Sequence, residues 1–202
     1  MADHKGLPIV SFASPVEWEA WLTEHGSGSP GAWVKFAKKG SGVPSIGKAE
    51  AIEAALAHGW IDGQLDKLDE RFWLARFRPR SRTSKWSRIN RDTAERLIAQ
   101  GRMKAAGRGE VDRAKRDGRW AAAYPPQSAA EIPPDLKAAL EASPEANAFF
   151  ATLTGANRYA VLYRVHDAKT AATRAARVER FVSMLAQGQT LHPPTKPRRD
   201  FP

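Results

Sequence analysis

Residues 59–90, GWIDGQLDKLDERFWLARFRPRSRTSKWSRIN, constrain the fold more than any other stretch of the chain. They place the rings of Trp60, Phe72, Trp73, Phe77 and Trp86 beside the cations Arg76, Arg78, Arg80, Arg82, Lys85 and Arg88. Large rings are stabilised by burial or stacking, whereas guanidinium and ammonium groups must keep water or meet an anion. A strand meets both demands. Over 71–78, period-two alternation puts Trp73, Ala75 and Phe77 on one face and Phe72, Leu74, Arg76 and Arg78 on the other. Pro79 lacks a ladder donor and marks that strand's end or an edge. Residues 60–64 read as a preceding strand.

The flanking sequence supplies helices. Ser14-Pro15-Val16-Glu17 is a capping box, and Trp18, Trp21 and Leu22 then share a face up to Gly26. AWVKFAKK reads as a strand with Val34 on one face and Trp33 and Lys35 on the other, followed by the loop KGSGVPS. Over 47–58, Ala49, Ile52, Ala55 and Leu56 recur at helical spacing, with His58 either a cation against the helix dipole or a packed side chain. From Asn90 the pattern is helical to Gly101, and 105–117 forms a polar helix. The Pro- and Ala-rich run 119–135 reads as a linker. Beyond it come a short helix through Leu136 and Leu140, one starting at Ser143-Pro144, one capped by Asn157, and one with Val178, Phe181, Val182 and Leu185 on a single face.

The expected architecture is therefore α+β: a small N-terminal sheet with flanking helices over 1–118, the linker 119–135, an all-helical C-terminal region over 136–190, and a disordered tail over 191–202. Without cysteine the chain has no disulfide, thiolate nucleophile or Cys-ligated metal. No apolar run approaches the roughly 20 residues that cross a bilayer, and the N-terminus lacks an export signal, so a cytoplasmic location is expected. Lys and Arg number 32 against 22 Asp and Glu, a net charge of +10 that favours anionic partners.

The strongest candidate site for such a partner combines Lys35, Lys38 or Lys39, the loop Gly40-Ser41-Gly42, and Arg76, Arg78 and Arg80. Guanidinium forks grip carboxylate or phosphate, and a glycine loop lets backbone N–H groups converge on an oxyanion. Trp60, Trp86 and Asn90 complete the expected ring-lined mouth. The competing reading pairs these arginines with Asp66, Asp69 or Glu70 on a solvated sheet face. Asp62, beside Trp60, is either a general base or the cap of its own Asp-Gly turn. No HExxH, GxSxG or paired metal spacing occurs, and neither a metal nor a cofactor is expected. Nucleic acid is an alternative partner, although cations run along the whole chain, including Arg174 to Arg180, as on an ordinary solvated surface.

EWEAWL, PGAWVKFAKKGSGVPS, EAIEAALAHGWIDGQ, LDERFWLARFRPR, SKWSRIN, AERLIAQGRM and ANRYAVLYRVHDAKTAATRAARVERFVSMLAQG resemble the YdeI/OmpD-associated family, also called bacteriocin-protection proteins, over about 17–194. The resemblance implies protection against bacteriocins or cationic antimicrobial peptides, association with an outer-membrane porin, and for some members a periplasmic location. A basic protein repels cationic peptides, so protection here would run through an anionic ligand or lipid-derived head group. The expected function is a non-catalytic stress-resistance accessory protein with an anion-binding pocket formed by Lys35, Lys38, Trp60, Asp62, Arg76, Arg80, Trp86 and Asn90. The alternatives are a cytoplasmic nucleic-acid-binding protein and an enzyme using Asp62.

Overall fold

The alternation at 71–78 is realised as a strand, β5, within an α+β N-terminal unit. The structure, a computed structural model, describes residues 3–153 and 155–193 and divides into two units, Met1–Ala123 and Tyr124–Pro202. In the first, the elements run β1 (Asp3–His4), β2 (Leu7–Ser11), α1 (Pro15–His25), β3 (Ala32–Ala37), α2 (Lys48–Ala57), β4 (Trp60–Lys67), β5 (Phe72–Pro79), α3 (Arg88–Ala99) and α4 (Ala105–Arg116). The strand order is β1-β2-β3-β5-β4. β2 and β3 are parallel, joined through α1, and β3-β5 and β5-β4 are antiparallel.

Register divides the side chains between two faces. Val10, Val34, Phe36, Ala75 and Phe77 pack with Trp18 and Leu22 of α1 and with Ala51, Ala54 and Ala55 of α2. Trp18 is fully buried, and its indole N–H donates to the Ala51 carbonyl at 3.1 Å. Only half of the expected capping box forms: Ser14 Oγ accepts from Glu17 N, but Glu17 Oε2 accepts from Ala13 N, one residue before the cap, rather than from Ser14 N. On the opposite face, Trp33 and Leu74 cluster with Leu7 and Ile9.

The β1-β2 hairpin turns on Lys5 and Gly6, both left-handed at φ 52 and 76, the geometry of a two-residue type I′ turn. Its tip reaches Asp66 of β4, where His4 Nε2 lies 3.0 Å and Lys5 Nζ 2.6 Å from the carboxylate. Since β3 and β5 stand between β2 and β4, the hairpin curls over the face that holds Trp33, and the His4 ring meets Trp33 edge-on at 4.8 Å.

Several boundaries differ from the sequence reading. β4 continues to Lys67 because a register shift between Asp62 and Leu65 absorbs Gly63 and Gln64, so Asp62-Gly63 lies inside the strand and closes no turn. The turn comes at Asp69 instead, whose Oδ1 accepts from Arg71 N and Phe72 N at 2.7 and 2.8 Å. α3 begins at Arg88, capped by Ser87 Oγ on Asn90 N. A second layer packs Ala94 and Leu97 of α3 with Val111 and Ala114 of α4, Leu56 and Ala57 of α2, and Trp86. Here Gly107 lets α4 approach the Ala57 carbonyl more closely than any side chain would allow.

The second unit is helical: a short 3-10 turn (Gln127–Ala129), then α5 (Pro134–Glu141), α6 (Pro144–Thr152), α7 (Gly155–His166) and α8 (Ala171–Ala186). Leu136, Leu140, Phe150, Val161, Leu162, Val165, Phe181 and Leu185 form its core. The Arg174 guanidinium forks onto Asp135 at 2.6 and 2.7 Å and holds that carboxyl below its usual range. Asn157 is no cap, because α7 starts two residues earlier. Its amide instead exchanges two hydrogen bonds with the His192 backbone, at 3.2 and 2.9 Å. Most of the expected disordered tail, from residue 194 on, lies outside the described residues.

Candidate anion-binding site

The loop between β3 and α2 bends where Gly40 and Gly42 adopt left-handed φ values of 83 and 69. Ser45 anchors its far side, accepting from Ala37 N and donating to the Ile46 carbonyl, each at 3.2 Å. The loop thereby walls an open concavity of about 480 Å³ whose lining includes Lys38, Lys39, Ser41, Lys48, Phe36 and Trp73. Phe36 and Trp73 face each other in the β3-β5 register and stack at 4.6 Å with an 18° interplanar angle, giving the hollow an aromatic floor.

The electrostatics follow from three ammonium groups. Lys38 Nζ donates to the Asp69 carbonyl at 2.7 Å, which fixes the position of its charge without neutralising it. Lys39 is exposed and has no ion-pair partner among the described residues. Lys48, the first residue of α2, lies 3.8 Å from Asp62, a loose contact between partly exposed groups. The α2 N-terminus adds little, since Glu50 Oε2 already accepts from Gly47 N at 2.9 Å. No histidine or carboxylate is among the residues lining the hollow, so its charged lining is cationic.

The other sequence candidates lie elsewhere in the unit. Lys35 and Arg76 share the sheet face of Trp33, with Lys35 Nζ 4.5 Å above the Phe72 ring and Arg76 Nε buried without a hydrogen-bond partner. Trp60 is 2% exposed and meets Trp18 and Trp21 edge-on in the core, so its ring is unavailable to a ligand. Arg80 is 5% exposed, its guanidinium 3.7 Å over Trp86 and its Nη1 donating to the Lys85 carbonyl. Asn90 sits in the first turn of α3. The structure thus joins Lys38 to the loop, brings Asp62 to its border through Lys48, and gathers neither Arg76, Arg80 nor Trp60 there. The acids expected to pair with the β5 arginines have other partners: Asp66 binds Lys5 and His4, Asp69 caps its turn, and Glu70 meets Lys67.

Lys48 and Trp73 were not read from the sequence as site residues. Lys48 carried a usable signal, as the first helical residue after a glycine-rich loop; Trp73 reaches the hollow only through strand register.

Among the described residues no helix is long and apolar enough to cross a membrane, and no group of three or more His, Cys, Asp or Glu could hold a metal ion. No curated protein and no solved structure matches the chain. Residues 129–188, from the 3-10 turn through α8, match the family model described as bacteriocin-protection, YdeI or OmpD-associated. Residues 10–110, half of the chain and inclusive of the lysine-lined loop, match the model of a domain of unknown function, DUF8412. The chain belongs to the DUF8412 family and carries, C-terminal to that domain, a bacteriocin-protection, YdeI or OmpD-associated domain.

Proposed function

We propose that the chain is a non-catalytic accessory protein of the bacteriocin-protection type whose N-terminal unit binds an anionic small molecule or lipid-derived head group at the 38–48 loop. The family match at 129–188 supports the accessory role at the level of the family. The observation that carries the ligand is the lining itself: Lys38, Lys39 and Lys48 around a hollow of about 480 Å³ with no carboxylate in its wall. Ammonium groups act there as point charges for phosphate or carboxylate oxygens, while the Phe36-Trp73 floor accepts the apolar part of a ligand. Like-charge repulsion makes a cationic peptide a poor direct occupant.

Thermal shift of the full chain against phosphorylated and carboxylated metabolites tests this reading. A ligand at 100 times its Kd stabilises the folded state by about 2.7 kcal/mol, a rise of several degrees. The rise should vanish in Lys39→Ala/Lys48→Ala and persist in Arg76→Ala, which lies on the other sheet face. No rise with any anion, or the same rise in the double variant, rejects the site.

A further inference from the structure

The cations run along the whole chain, but the excess charge does not. Residues 76–119 hold 15 Lys and Arg against five Asp and Glu, a net +10 equal to that of the entire protein. The remaining residues carry 17 of each sign and cancel. Twelve of the 15 are arginine, the side chain whose planar fork matches phosphate oxygens. Part of this segment converges. Arg119 Nη1 donates to the Ser84 carbonyl at 2.7 Å, and Trp120 meets Trp86 edge-on at 4.8 Å, tying the chain after α4 to the 81–87 loop. Lys115 Nζ lies 5.3 Å over the Trp120 ring, which is only partly buried. Arg82, Arg88 and Arg116 on these two segments are exposed and make no ion pair among the described residues. The one acid between Arg116 and Arg119, Asp117, is held by the Arg119 guanidinium at 2.7–2.9 Å.

We infer that residues 82–88, the loop and the first residue of α3, and the 115–120 segment form a binding surface for single-stranded nucleic acid, separate from the lysine-lined hollow. Unpaired guanidinium groups neutralise successive phosphates, and Trp120 offers a ring edge and face for a base. An anionic membrane fits less well, because Ile89 is the one large hydrophobic residue of this surface that is mostly exposed, too little apolar area for insertion at a bilayer.

The test is fluorescence anisotropy of labelled single-stranded DNA and RNA of about 16 nucleotides, titrated with the full chain at several salt concentrations. Affinity should fall by roughly 0.7 log units per log unit of salt for each phosphate neutralised. Arg82→Gln/Arg88→Gln/Arg116→Gln should keep the wild-type urea midpoint and lower that slope by roughly 2. Lys39→Ala/Lys48→Ala should bind the oligonucleotides as wild type does, so this surface and the hollow succeed or fail separately. Absence of binding at low salt, an unchanged slope in the triple variant, or binding to phosphatidylglycerol vesicles without binding to oligonucleotides overturns the inference.

Discussion

Two glycines of α4, two residues apart, should respond in opposite directions to the same substitution. A Cβ at Gly107 would lie 2.2 Å from the Ala57 carbonyl oxygen, 2.9 Å from its carbon and 2.5 Å from Met103 Sδ. The thioether can swing away, but the carbonyl belongs to α2 and also accepts from Lys104 N at 3.1 Å. Real Cβ contacts essentially never fall under 3.0 Å, so α4 would have to retreat by at least 0.8 Å and stretch that bond. Overpacking of this kind costs about 1–3 kcal/mol, and the better helix propensity of alanine returns up to about 1 kcal/mol. Gly107→Ala should therefore destabilise by about 1–2 kcal/mol. A Cβ at Gly109 meets nothing within 4 Å, so Gly109→Ala should stabilise by about 0.5–1 kcal/mol. Urea denaturation followed by tryptophan fluorescence separates the two, and all seven tryptophans lie within 1–123, so the signal reports the N-terminal unit. Midpoints should move apart at constant m. A Gly107→Ala midpoint at or above wild type, or both variants moving the same way, would refute the close approach of α4 to α2.

Other perturbations have outcomes set by the same structure. Phe181→Ala, at a position 3% exposed in the helical core, should cost about 3–5 kcal/mol by calorimetry of the full chain. Lys5, then His4, hold the Asp66 carboxyl down to about 2 from an ordinary 3.8. The stabilisation is thus complete above about pH 4 and disappears as pH falls through about 2, and the Tm gap between wild type and Asp66→Asn should close over that window. Burial, and secondarily Lys104, push His58 below its ordinary 6.5, so folding favours the neutral ring and stability falls as pH drops beneath about 6.5. His58→Gln should flatten that limb in Tm measured against pH. Glu53, held below its usual range by Arg96 and Arg102, is a largely solvated bridge, and Glu53→Gln should cost no more than about 1 kcal/mol in urea melts.

The parts of the fold visible in the sequence are those where one short-range period meets one buried face. β5 and α8 are such cases, and Trp73 with Phe77, and Phe181 with Leu185, sit where the pattern places them. β1 and β2 were not visible, because two residues carry no period and Pro8 interrupts a five-residue run; tertiary contacts to Trp33 and Asp66 hold them. Of the candidate site, Lys38 was legible from the glycine loop beside it. Arg76 and Arg80, only four residues apart, went to different surroundings, one on the sheet face of Trp33 with its Nε buried and one against the Trp86 ring. Asn157 shows the same limit: its composition signals a cap, but a partner 35 residues away takes its amide.

The clasp at Asp66 spans the sheet from one rim to the other, since β1 and β4 are its outermost strands. Bare strand rims recruit foreign strands, and here one rim is two residues long while the other is kinked and charged. Cutting the clasp would do more than fray a terminus. It would uncover Trp33 and Leu74 beside an unguarded rim, turning this flank of the sheet into a seed for self-assembly.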